Sequence, residues 1–273
     1  MTTAKRQHFN PRLHLQHFAG TEPKGHVWTY DKRTGEVRHA IPEETAVERH
    51  FYSIKKSDGK IDTRIENFLS GVESMAAPIY ESLLRDVVPK ANTQLRADFA
   101  TFLALTYVRT PAMRKTFADG LSRAIQIAGY VHPTNTEAFE SITRSYEKEE
   151  GRVLSDEDKK RLRETLLDAS DNVIEVPKER TLRALEAANE LAPILFQMQW
   201  SLVFAAHGFF ISTDNPLVRQ VDHKSCHPMY GDHGFLNKTA EVLYPLSPKR
   251  LLLMTWNQSV RKIGFLSEAA SIR

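Results

Sequence analysis

Glu66 and Glu73 stand seven residues apart, in a stretch whose apolar residues recur every three or four positions. On a helix that spacing is about two turns, so both carboxylates lie on one edge beside the apolar stripe, and Tyr80 follows two turns on. Such a pair at a core boundary suits a hard divalent ion, or one acid and one base facing a cleft. The plainer account is a boundary position paired with Lys or Arg. Asp214 follows the apolar run Phe209-Phe210-Ile211, and strand ends are where a sheet fixes the base of a functional loop. Asp214-Asn215-Pro216 is equally the composition of a simple turn.

Two other groups carry metal-ligating residue types. His8, His14, His17, His26, His39 and His50 fall in the first fifty residues, and Asp222, His223, Cys226, His227, Asp232 and His233 crowd one loop. Neither matches the spacing of a standard zinc site; the histidines other than His8 read singly as surface or packing positions, and the second group as a polar surface loop. The chain has no glycine-rich phosphate loop, no GxSxG elbow, and no HExxH or CxxC motif.

The elements that must position these residues change character along the chain. His26 to Tyr30 and Glu36 to Ala40 have strand composition, and Asp31 to Gly35 between them supplies hairpin turn residues. From Ile61 the period becomes helical through Leu83, with Asp62 or Thr63 as cap. A second helix is expected over Asn92 to Arg109, and a third follows Pro111 towards Tyr130. Glu137 to Lys148 and Ser155 to Ala169 read as polar helices, the second opened by a capping box of Ser155 with Asp158. Pro177 should open a long helical stretch that closes at Gly208, and Ile194 to Ala206, apolar nearly all round, should be the central helix. Phe209 to Ser212 then reads as a buried strand, with further strands over Glu241 to Leu246 and Arg250 to Trp256. The expectation is one α+β domain over residues 1–273. It comprises an N-terminal β unit (1–60), a predominantly helical body (61–208), and C-terminal strands and loop (209–273).

Bulk properties narrow the classes. The chain has 273 residues, enough for a sizeable core, and a net charge of +3, too small to indicate nucleic-acid binding. One cysteine cannot form an internal disulfide. Met1 to Asn10 is polar, and the longest apolar run, Leu191 to Ile211, is interrupted by Pro193, Gln197, Gln199, His207 and Gly208. The expectation is a cytoplasmic protein without a membrane span.

Six segments in order carry a resemblance: His8 to Phe18, Val27 to Lys32, Phe51-Tyr52-Ser53, Ile65-Glu66 with Glu73, Val108-Arg109-Thr110-Pro111, and Phe210 to Pro216. Together they resemble the bacterial domain-of-unknown-function family numbered 4238, over nearly the whole chain. The resemblance implies that the polar matches His8, Asp31, Tyr52, Glu66, Glu73, Arg109, Asp214 and Asn215 matter as a set, and it implies no reaction. It departs at Ser267 to Arg273, which is short for the helix rich in asparagine and alanine with which members end.

Three functions follow as expectations. One is a metal-assisted hydrolase of phosphodiesterase or nuclease type. His8, Glu66, Glu73 and Asp214 would hold magnesium, manganese or zinc, while His8, Glu73 and Arg109 serve the chemistry. Another is a non-catalytic sensor or interaction module, in which the same residues form a buried polar network. A metal-independent enzyme with His8 as general base is the third.

Overall fold

The computed structural model describes residues 6–55, 61–151, 153–169, 181–227, 231–232, 234–259 and 263–266. Pro177, His233 and Ser267 to Arg273 lie outside the described residues.

In chain order the elements begin with β1 (Arg6–His8), α1 (Arg12–Leu15), β2 (Val27–Tyr30), β3 (Val37–Ala40), β4 (Val47–Arg49), β5 (Ile54–Lys55) and β6 (Ile61–Asp62). The helices α2 (Arg64–Leu84), α3 (Gln94–Val108), α4 (Pro111–Thr134), α5 (Thr136–Glu150), α6 (Asp156–Ala169) and α7 (Ala188–Gln197) follow. The chain then forms β7 (Gln199–Ala205), β8 (Val218–Gln220), β9 (Glu241–Ser247), β10 (Arg250–Thr255) and β11 (Ile263–Leu266). The fold is α+β: helix predominates, with an N-terminal hairpin and a C-terminal sheet. Two compact units result, one of residues Met1–Met113 with Leu182–Arg273, the other of Arg114–Thr181.

In the first unit β2 and β3 form the expected hairpin, Trp28 opposite His39. Asp31 accepts from the Arg33 backbone N–H at 2.9 Å, and Gly35 closes the turn at φ +74°, where a side chain would be strained. The main sheet has the order β11-β7-β10-β9-β8, with β7 parallel to β11 and antiparallel to β10. The core joins this sheet to α2, α3 and α7 through Leu83, Phe99, Leu103, Leu195, Trp200, Tyr244 and Leu252.

Ile194 to Ala206 is not one helix. The helix ends at Gln197, Met198 is extended (φ −64°, ψ 153°), and β7 begins at Gln199. Arg96 fixes the changeover: its guanidinium donates to the carbonyls of Phe196 (3.0 Å) and Met198 and lies 4.5 Å from the Trp200 ring. Burial lowers the Arg96 pKa to about 10. A cation on the last carbonyls of a helix satisfies groups that would otherwise be orphaned. The uniform apolarity that suggested a buried helix belongs partly to a strand covered on both faces, since consecutive Trp200, Ser201 and Leu202 are all buried.

Phe209 to Ser212 is not a buried strand either. Phe209 and Ile211 are 73% and 76% exposed, and Gly208 stands at φ +71° after β7, not after a helix. One backbone bond, from the Phe210 N–H to the Pro248 carbonyl at 2.8 Å, and two side chains hold this strap: the Asn10 amide donates to the Thr213 carbonyl at 2.9 Å, and Ser212 meets His14 at 2.6 Å.

The second unit contains the polar helices α5 and α6. Asn135 caps the first through the Ala138 N–H, and Ser155 caps the second through the Asp158 N–H with a return bond to the Asp158 carboxylate. Arg163 lies 4.6 Å from the Phe139 ring, and Glu147 binds Lys159 at 3.2 Å.

Candidate functional site around Arg109

Four of the five residues singled out by the sequence come together in the first unit. Arg109 follows α3 directly and is buried; its Nη1 donates to Glu73 Oε1 at 2.8 Å, from the edge of α2. Glu66, two turns earlier, is half-buried, and both Arg109 and Glu73 act on its charge. His8, at the end of β1, feels Glu73 and Arg109 together. Tyr52 ties the segments: its hydroxyl donates to the carbonyls of His8 (3.2 Å) and Arg109 (3.4 Å). Gln7 fixes Tyr52 in turn, accepting its backbone N–H at 2.6 Å and donating to Ser53 Oγ at 2.8 Å.

The environments of the ionisable groups diverge. Burial lowers the His8 pKa, outweighing the Pro42 carbonyl and Glu73, which raise it. Burial raises that of Glu66; Arg109 opposes the rise and Glu73 adds to it. Burial also works against the Arg109 charge, but Glu73 and Tyr52 hold its pKa above the ordinary arginine value. Since a carbonyl only accepts, the His8 Nε2 that sits 3.2 Å from Pro42 O carries the proton, and Nδ1 is left with its lone pair. Arg109 Nε and Nη2 and Asn10 Oδ1 are buried without a well-aligned partner among the described residues. Orphaned polar atoms of this kind are costly and concentrate where a site needs them.

Asp214 does not join the group. It is exposed, and the charge it acts on is Arg33 of the hairpin turn. The adjoining turn is made by Thr213, whose hydroxyl accepts from the Asn215 N–H (3.1 Å) and donates to the Asn215 carbonyl (2.8 Å). Asp31 is likewise at the surface, paired with Arg33 at 3.3 Å. Among the described residues no group of three or more His, Cys, Asp or Glu side chains is arranged to hold a metal ion. In the described part of the loop at Asp222, Asp222 accepts from the Lys224 N–H, and Asp232 pairs with Arg219 at 3.0 Å.

Residue types alone did not mark out His14. It is wholly buried, and burial drives its pKa down to about 3. Tyr80 donates to the Leu246 carbonyl at 2.8 Å, so its oxygen accepts from His14 Nδ1–H at 3.1 Å. His14 Nε2 therefore accepts from the Ser212 hydroxyl at 2.6 Å. His17 stacks on Tyr80 with ring centroids 4.7 Å apart, so His14 and His17 do share a face. Their spacing of three was the available signal, and it needed the short helix at Arg12–Leu15 to be read.

No helix among the described residues is long and apolar enough to cross a membrane. No curated protein and no solved structure matches the chain. The family model described as "Protein of unknown function (DUF4238)" matches residues 6–264, the span that contains β1, both glutamates, Arg109 and the strap. Nearly the whole chain is covered, and the protein belongs to the DUF4238 family.

Proposed function

We propose that the protein is a hydrolase acting by general acid–base catalysis at His8 and Glu66, with Glu73 held in place by Arg109. The observation that carries this reading is the Arg109–Glu73 pair at 2.8 Å, its arginine buried and its carboxylate part-exposed, whose charges act on both His8 and Glu66, half-buried groups of different segments. A carboxyl with a raised pKa keeps its proton to donate, and an imidazole with a lowered pKa keeps its lone pair to accept, so opposed environments assign the roles. Glu66 is the acid, and His8, through Nδ1, is the base. Arg109 is sealed from solvent at its unpaired edge, which makes it a positioning residue for the Glu73 carboxylate.

A divalent ion fits these residues poorly. Glu73 is committed to Arg109, and Asp214 lies at the surface beside Arg33. The non-catalytic reading draws support from a different observation, the buried bonds of Gln7 to Ser53 and Tyr52, which would stabilise the fold without any substrate.

Hydrolysis of bis(p-nitrophenyl) phosphate and of p-nitrophenyl acetate, measured in a chelator, separates these readings. Glu66→Gln and His8→Gln should each lower the rate by roughly 10²–10⁴-fold, the usual worth of one acid or base, with unchanged melting temperature. The pH optimum should lie on the acid side of neutrality. Loss of rate as pH falls should disappear in His8→Gln, and loss as pH rises in Glu66→Gln. Activity that the chelator abolishes would restore the metal-assisted reading. Absence of hydrolysis of either compound would favour the non-catalytic module.

A further inference from the structure

A cavity of about 760 Å³ opens in the first unit between α2, α3 and α7. Its walls are apolar: Ile65 and Phe68 from α2, Leu105 from α3, Ala192 and Phe196 from α7. Cavities of roughly 300–1,000 Å³ with such walls and a few polar groups are the usual form of a small-molecule site. Phe68 is 57% exposed, an aromatic ring left facing solvent at this cavity.

The polar groups of the lining settle the sign of the ligand's charge. Asp62, Arg64 and Glu186 are the ionisable acids and bases among them. Arg64 is committed to Asp62, with Nε and Nη2 at 2.9 and 2.6 Å from one carboxylate oxygen. Glu186 has no ion pair among the described residues. Among the described lining residues the uncompensated charge is therefore negative.

We propose that this cavity binds an amphiphile whose aliphatic body lies along Ile65, Ala192 and Phe196 and whose cationic head meets Glu186. Tyr52 lines the cavity, and its hydroxyl holds the carbonyls of His8 and Arg109, so one wall residue of this cavity is also a support of the Arg109 site. Binding here is independent of whether the Arg109 site is catalytic.

Calorimetric titration of the full chain with decyltrimethylammonium and with decanoate, each below its micelle concentration, tests the proposal. The ammonium compound should bind at least about fivefold more tightly, the ratio that one screened unit charge at contact distance supplies. Glu186→Gln should shrink that ratio without abolishing binding. Ala192→Trp puts an indole where the aliphatic body lies and should weaken binding of both compounds by at least about tenfold. Should that variant unfold, Ala97→Phe intrudes on the same cavity from α3 with the same expected effect. Equal affinity for the two compounds, or undiminished binding in a folded variant of this kind, overturns the proposal.

Discussion

His14 shows how much a single imidazole can be asked to do. Its two nitrogens link Tyr80 on α2 to Ser212 on the exposed strap, and both bonds require the neutral ring with its proton on Nδ1. The folded pKa of about 3 lies below the ordinary value of 6.5, so between those limits the unfolded chain binds a proton that the folded chain refuses. Stability is therefore complete above pH 6.5 and falls as pH is lowered towards 3, by about 1.4 kcal/mol per pH unit from this group. His8 shifts in the same direction and Glu66 in the opposite one, its contribution lost as pH rises. Urea unfolding at pH 7.5 and at pH 5 should show that His14→Phe removes most of the acid-side loss seen in the parent chain. An unchanged loss in that variant would mean that the ring is not the neutral, buried group described.

At the scale of elements, the chain is governed by where helix gives way to strand between Gln197 and Gln199. Arg96→Met keeps much of the side chain's length but strips the donors from the Phe196 and Met198 carbonyls. Each carbonyl left unpaired in the interior should cost about 1–3 kcal/mol, so denaturant unfolding should show a loss of a few kcal/mol. A loss under about 0.5 kcal/mol would mean that water replaces the guanidinium. The same boundary marks the limit of what the sequence disclosed. Period placed α2, which has one wet face and one dry face and so writes its geometry into the pattern, while local cap and turn chemistry at Ser155 and at Asp31 to Gly35 placed α6 and the β2–β3 hairpin. A segment dry on every side carries no such pattern, and the helix–strand junction at Met198 was hidden for that reason. The candidate site was legible to a similar degree. Glu66 and Glu73 declared themselves by helical spacing, whereas the pairing of Glu73 with Arg109 depends on how α2 and α3 cross, which no local pattern records. Asp214 shows the converse: a strand-end reading failed because the strap before it is held by Asn10 and His14 and leaves its own apolar side chains in solvent.

For the molecule as a whole, the two units differ in what holds them. Every residue of the hydrophobic core cluster belongs to the unit of Met1–Met113 with Leu182–Arg273. In Arg114–Thr181 the one apolar side chain buried among the described residues is Phe139, under Arg163, alongside the buried hydroxyls of Thr143 and Thr181. Among the described residues, half-buried side chains such as Phe117, helix caps and part-exposed ion pairs such as Glu147–Lys159 add to it, and exposed pairs contribute only about 0–1 kcal/mol each. Local opening free energy follows buried apolar contact, so the second unit should open well before the first. Native-state hydrogen exchange read by mass spectrometry should find the amides of α5 and α6 exchanging faster, by orders of magnitude, than those of α3 and β7. Phe139→Ala should widen the gap by speeding exchange in α5 and α6 alone, because the core of the other unit does not include it. Uniform protection across both units, or a Phe139→Ala effect that spreads to α3, would show that the chain opens as one cooperative body.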